Sequence, residues 1–247
     1  DLLPYLVRRL LENGANTSFI HQLKTKDFDI SKLVQSPIVK MDKLDEDKIK
    51  KPIDIYGDRK NSKGLDLSEE DVVENLQFNG KFKDIKAYSL INGEDIKSDK
   101  EIDIKSPHSS SILGKKYFAD EKISETAINN LKEYSSEWKK FSIEKKVEIF
   151  LKFADLIEEN TNDIIEICAK ESGKSIKNSI AEIREAVDFC RYYSKEALNL
   201  FQTQTLKGPT GELNQYRMVG KGLSFVISPW NFPVAIFVGQ TVAALIT

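Results

Sequence analysis

The residues Ser228-Pro-Trp-Asn-Phe-Pro233 place an Asn between a Trp and a second proline. An Asn amide in a dry turn beside a helix start can donate to an oxyanion, and a Trp can wall a flat cofactor. Asn231 equally suits a helix start, where its side chain satisfies backbone N–H groups; on residue type alone that is the commoner use. Arg8 and Arg9 form a second candidate. Adjacent helical residues project about 100° apart, so both guanidinium groups reach one carboxylate only when the ligand lies between them. Otherwise they are ordinary surface charge, with Arg8 paired to Glu12 one turn later.

Other candidates fail on chemistry. Gly173-Lys-Ser175 imitates the tail of a phosphate-binding loop, but Cys168 stands where that motif needs Gly, and a helix rather than a strand precedes it. Cys168 and Cys190 are the only thiols. Each falls on the apolar side of a helix, where Cys behaves as a small hydrophobe rather than a thiolate nucleophile. His21 and His108 have no Cys or His partner at ligand spacing, so no metal site is expected. Asn16-Thr-Ser fits a glycosylation acceptor, which a cytosolic setting makes a false positive.

These residues need elements to carry them. Leu223 to Ile227 is a short, partly β-branched apolar run that suits a buried parallel strand. Pro229 and Pro233 end it, and Pro233 fits the first turn of a helix from Val234 to Leu245. Asn231 would then lie at the carboxyl end of a strand, where α/β sheets bind ligands. Upstream, Leu2, Leu3, Leu6, Leu10 and Leu11 recur at helical spacing until Asn13-Gly14, and Arg8 and Arg9 sit within that helix. From Lys24 to about Asp120 the chain is charge-rich and weakly periodic; its clearest helix is capped by Ser68, with Asp71 in the capping-box position and Leu67 stapling on Val72. Three amphipathic helices are expected after that: one capped by Ser124 with an Ile123–Ile128 staple, one following Ser142, and one from Ile176 to Cys190. Between Gln202 and Gly222 loose alternation and paired glycines read as two strands with turns.

Composition sets limits. With 37 Lys and Arg against 39 Asp and Glu, a net charge of -2 gives no general pull toward nucleic acid or anionic membrane. At 40% hydrophobic residues the chain is slightly lean for a fully cored globule, so part of it should be extended. Two Cys without a signal-peptide pattern fit a reducing cytosol, and no apolar run is long enough to span a bilayer. Asp1 opens directly in a helix and Thr247 closes inside one, so the chain reads as a piece of something longer.

Three groups of residues carry a resemblance to known families. Ile227-Ser-Pro-Trp-Asn-Phe-Pro233, followed by an apolar helix with Gly239-Gln240, resembles the segment at the end of the first nucleotide-domain strand in the aldehyde dehydrogenase superfamily. That resemblance implies that Asn231 is an oxyanion-hole donor and that Ile227, Ser228, Pro229 and Trp230 touch NAD. Lys170-Glu-Ser-Gly-Lys-Ser175 and Ala181-Glu-Ile-Arg-Glu-Ala-Val-Asp-Phe-Cys-Arg-Tyr-Tyr193 resemble N-terminal helices of the same superfamily, the second its glutamate-semialdehyde branch. Tyr5-Leu-Val-Arg-Arg-Leu-Leu-Glu-Asn-Gly-Ala-Asn-Thr-Ser-Phe19 is similar to the last barrel helix of the proline dehydrogenase domain in bacterial bifunctional proline utilization A proteins. There the residues matching Arg8 and Arg9 hold the proline carboxylate, and the one matching Tyr5 shapes the pocket beside FAD. Ile55 to Ser68 and Gly208-Pro-Thr-Gly-Glu212 resemble that family too.

The resemblance implies an α/β fragment: the last helix of a (β/α)8 proline dehydrogenase barrel (1–23), a charged connector (24–120), and the start of an aldehyde dehydrogenase domain (121–247) with its N-terminal helices, β-hairpin and first strand-helix unit of a Rossmann-like fold. The implied chemistry is oxidation of proline to pyrroline-5-carboxylate with FAD, whose site lies mostly outside these residues, and of glutamate semialdehyde to glutamate with NAD. The family's nucleophilic Cys and general-base Glu have no matching positions, so the chain alone is expected to be inactive. The resemblance also implies a cytoplasmic homo-oligomer and leaves open a peripheral membrane contact of the full enzyme. The competing expectation is a non-catalytic remnant or interaction module from a split gene.

Overall fold

A computed structural model describes residues 2–14, 24, 31, 36, 38, 50–78, 80, 82 and 84–247, with side chains described only through Leu11 in the first stretch. The chain divides into two units, 1–50 and 51–247. In the first, α1 (Leu3–Gly14) forms where the leucine spacing predicts a helix and runs to the expected glycine. The Asn16 triplet, Glu12 as a partner for Arg8, His21 and the charged run over 42–49 lie outside the described side chains.

The second unit begins as an irregular strap with a 3-10 turn at Pro52–Asp54 and one short α-helix, α2 (Glu70–Glu74). Ser68 does not cap it. Its amide and hydroxyl instead donate to Asp66 Oδ1 at 2.9 and 2.7 Å, so the aspartate takes the turn-forming role. Five short strands follow: β1 (Ile85–Ala87), β2 (Ser89–Ile91), β3 (Glu94–Ile96), β4 (Glu101–Lys105) and β5 (Ile112–Tyr117). β2 and β3 make a hairpin through Asn92 and Gly93, both at positive φ. In the three-stranded sheet β5 is central, parallel to β1 and antiparallel to β4. Gly114 of β5 is there because a Cβ would stand 1.9 Å from the Ile85 carbonyl oxygen.

Four helices, not three, follow. α3 (Glu121–Trp138) starts a turn earlier than expected: Asp120 accepts from the Ile123 amide at 2.7 Å, and the Ser124 hydroxyl donates back to the Asp120 carbonyl. α4 (Ile143–Glu159) is capped by Ser142 as read from sequence. α5 (Thr161–Ser172) is separate, because the chain breaks at Asn160 and restarts. Gly173 closes it in the left-handed conformation (φ 68°), where the Gly173 and Lys174 amides satisfy the Ala169 and Cys168 carbonyls. α6 (Ile176–Leu200) opens on Ser175, whose oxygen accepts from the Asn178 amide. Gly173 and Ser175 of the phosphate-loop look-alike thus serve as a helix stop and a helix cap.

β6 (Gln204–Leu206) and β7 (Asn214–Tyr216) pair antiparallel as expected. The strand expected over Leu223–Ile227 is not formed. Those residues carry no ladder, and Leu223, Phe225 and Ile227 are exposed. A parallel strand needs a neighbour's N–H and C=O groups beside it, and no described strand pairs with this run. The last helix, α7 (Ala235–Leu245), begins two residues after Pro233.

α6 is the axis of the core. Ile180, Ile183, Ala186, Val187, Cys190 and Ala197 face inward, against Val147, Phe150, Ala154 and Ile157 of α4, Ile165 of α5, and Val238 and Val242 of α7. Small residues let the helices approach: a Cβ on Gly239 would lie 2.8 Å from the Phe189 ring, so α7 crosses α6 where only a glycine fits. The strap is sewn to this bundle by charge. Arg191, buried on α6, forks onto both Glu158 oxygens at 3.1 and 2.9 Å, reaches Asp155 at 3.0 Å and donates to the Asn61 carbonyl. Burial opposes its charge, but the carboxylate partners prevail and its pKa is raised. Asp188 accepts from the Ser62 amide and hydroxyl at 2.8 and 2.9 Å.

α7 is held by other helices at both ends. Glu182 of α6 accepts from its first amides, at Val234 and Ala235. At the far end Trp138 Nε1 donates to the Leu245 carbonyl at 2.8 Å, and Lys146 Nζ to the main-chain oxygen of Thr247 at 2.9 Å. Cations and donors belong at helix C-termini, anions at N-termini, so both contacts have the favourable sign. No helix among the described residues is long and apolar enough to cross a membrane.

Candidate functional site

The turn ahead of α7 is set by proline geometry. Pro229 and Pro233 bracket it, and the Phe232 amide donates to the Pro229 carbonyl across a four-residue turn. Asn231 occupies the third position, exposed to solvent. Its carbonyl accepts from Lys174 Nζ at 2.9 Å, while its side-chain amide makes no hydrogen bond to any described residue.

That arrangement separates the two uses of Asn231. A capping Asn would accept from the amides that open α7. Those amides belong instead to Glu182 Oε2, at 3.2 Å from Val234 N and 2.8 Å from Ala235 N. The helix start is satisfied without Asn231, whose amide stays available.

The neighbouring predicted residues lie along one open stretch. Ser228 is half-buried, Pro229 is exposed, and Ile227 and Trp230 are 72% and 83% exposed. The large apolar faces of Ile227 and Trp230 therefore meet solvent, which suits stacking on a flat ring and suits nothing in this chain's own core.

The two thiols are elsewhere. Cys168 and Cys190 are buried, and burial pushes the first up to about 11 and the second to about 12, with Glu182 adding to the shift at Cys168. Neither is a thiolate at neutral pH. Among the described residues no three His, Cys, Asp or Glu side chains gather as a metal site.

In the first unit, α1 brings Tyr5 and Arg9 together. Arg9 Nε donates to Tyr5 Oη at 3.2 Å, with the guanidinium 5.3 Å from the ring centroid. Arg8 is the next residue, about 100° around the helix. All three are exposed.

Sequence reasoning missed Lys174 and Glu182, the two residues that tie down the Asn231 turn. A signal was present: Glu182 is a carboxylate at i+3 from Ser179 and i–4 from Ala186, both wholly buried, on the apolar face of a predicted helix. A charge in that position demands a partner.

A model of the aldehyde dehydrogenase family matches residues 95–247. The chain is 34% identical to the bifunctional protein PutA of Salmonella typhimurium over 262 residues, covering 99% of this chain and 19% of that protein. It is 35% identical to the 1-pyrroline-5-carboxylate dehydrogenase of Bacillus subtilis over 164 residues, covering 66% of this chain and 32% of that protein. Among solved structures, proline utilization A from Bdellovibrio bacteriovorus superposes with a TM-score of 0.81 at 29% identity, covering 98% of this chain and 25% of that chain. The chain thus spans about a fifth of the length of the PutA relative.

Proposed function

We propose that this chain, which belongs to the aldehyde dehydrogenase family, supplies the oxyanion-stabilising turn and part of the NAD-binding surface of a glutamate-semialdehyde dehydrogenase within a proline-catabolising enzyme. The observation that carries this reading is the exposed, unengaged amide of Asn231 on a turn whose helix is already capped by Glu182. In aldehyde oxidation, attack by a thiolate turns the carbonyl oxygen into an anion. The Asn231 amide donates to that oxygen as its charge develops, and so contributes more in the transition state than in the ground state. Ile227, Ser228, Pro229 and Trp230 would hold NAD. When bound, the dinucleotide supplies the hydride acceptor; Trp230 and Ile227 offer it an apolar wall that excludes water. Neither Cys168 nor Cys190 serves as the nucleophile, because both are buried neutral thiols.

The finer assignment is that residues 1–23 end a proline dehydrogenase barrel and 24–120 connect it to the second activity, with the family match reaching back to residue 95. Tyr5, Arg8 and Arg9 would then receive proline, the arginines pairing with its carboxylate; the Tyr5–Arg9 contact on one helical face supports this. No residue here is assigned to FAD. The β6–β7 hairpin, exposed almost throughout, would serve subunit association.

Asn231→Ala in the full chain that carries this segment tests the proposal. Single-turnover acylation, followed as NADH, should slow by roughly a hundredfold to a thousandfold, the usual cost of one oxyanion-hole donor. NAD affinity and melting temperature should hold. An unchanged acylation rate would remove Asn231 from catalysis.

A further inference from the structure

We propose that Lys174 and Glu182 form a buried positioning pair that sets the direction of Asn231, an inference that rests on the oxyanion reading above. Glu182 is 2% exposed, the deepest carboxylate among the described residues. A buried carboxylate is costly unless its lone pairs are met. Oε2 takes the Val234 and Ala235 amides, and Oε1 is met by charge rather than by an aligned hydrogen bond, as an ion pair with Lys174 Nζ at 2.6 Å. Lys174 in turn donates to the Asn231 carbonyl at 2.9 Å and sits 4.9 Å from the centre of the Phe232 ring.

The contacts bracket one residue. Lys174 fixes the peptide that leaves Asn231, and Glu182 fixes the amides three and four residues on. Between them only Phe232 and Pro233 intervene, and the first is covered by the same ammonium while the second has preset φ. The direction in which the Asn231 side chain leaves the backbone is therefore determined by two side chains of α6 and its approach, not by the turn alone. A local cap would have drawn the Asn231 amide into the helix start; a remote carboxylate does the capping and releases it. Gly173 makes the geometry reachable, since its left-handed conformation ends α5 and turns the chain just before Lys174.

Lys174 and Glu182 touch neither substrate nor cofactor in this account, so their effect should pass through Asn231. In the full chain, Lys174→Met should slow single-turnover acylation roughly tenfold to a hundredfold, the scale of a small misplacement, while NAD affinity stays within about twofold. Lys174→Arg, which keeps the charge and donors, should recover part of the rate. The double variant Lys174→Met with Asn231→Ala should be no slower than Asn231→Ala alone, because the lysine has nothing left to position. Hydrogen exchange gives an activity-independent readout: the Val234 and Ala235 amides should exchange faster in Glu182→Gln, with the α4 and α6 core amides unchanged. The pair is refuted if Asn231→Ala is slow while Lys174→Met runs at the parent rate, if the double variant loses the product of the two single losses, or if exchange at Val234 and Ala235 does not move. An unaltered rate in Asn231→Ala overturns the oxyanion reading instead, and the exchange result then judges the positioning claim by itself.

Discussion

Helix α6 and the stretch from Met218 to Phe232 are both rich in apolar residues, and their fates are opposite. On α6, Ala186, Val187 and Cys190 are wholly buried; on the other stretch Phe225 is 90% exposed. The difference lies in where each finds its backbone partners. A helix closes its hydrogen bonds within its own residues and needs neighbours only for its side chains. A parallel strand must borrow every bond from another segment, so an apolar run with strand character remains unpaired where nothing lies beside it. The bundle is thus organised by its own sequence, whereas Leu223–Ile227 pairs with no strand among the described residues.

The sharpest break of that contrast is a charge placed on α6. Val187→Asp places an unpaired carboxylate at a wholly buried site and should cost about 4 kcal/mol or more, enough to abolish a cooperative thermal transition. A retained transition within a few degrees of the parent would show that α6 is not the axis of the core.

Alkali separates the regions next. The Cys190 pKa is raised from 9.0 to about 12 by burial, so folding favours the protonated thiol. Its contribution is complete below pH 9 and is lost as pH climbs from 9 through 12, at up to about 1.4 kcal/mol per pH unit. Urea midpoints measured across that window should fall less steeply in Cys190→Ala; identical slopes would refute the assignment.

A smaller effect sharpens the packing claim. Gly239→Ala forces the Phe189 ring to move and should destabilise by about 1 to 3 kcal/mol, read as an earlier denaturant midpoint with unchanged slope. The smallest belongs to the exposed stretch. Phe225→Ser should change stability by no more than about 0.5 kcal/mol, and a larger loss would mean that Phe225 is buried in solution.

Much of the helical half was legible in the sequence because caps and periodicity are local. Ser142 and Ser175 start their helices as their residue type predicts, and Cys168 and Cys190 fall on buried faces. Where two polar residues competed for the cap of α3, the earlier one prevailed, Asp120 over Ser124; Ser68 caps nothing, because Asp66 draws its amide and hydroxyl into a turn. The strands between residues 85 and 117 were hidden by charge, since strands such as Glu101–Lys105 bury only one side chain, yet Asn92-Gly93 was a plain hairpin signal. Within the candidate site the Pro-Trp-Asn-Phe-Pro turn was visible, whereas the pairing of Glu182 with amides 52 and 53 residues away was not. Long-range partners leave no periodicity.

The clamping of α7 at both ends has a mechanical consequence. This 11-residue rod is about 16 Å long, stiff, and pinned near its middle by the glycine crossing at Phe189. Its leading end is gauged against α6 through Glu182, its trailing end against α3 and α4 through Trp138 and Lys146. The helix that follows the turn is therefore aligned by three helices at once.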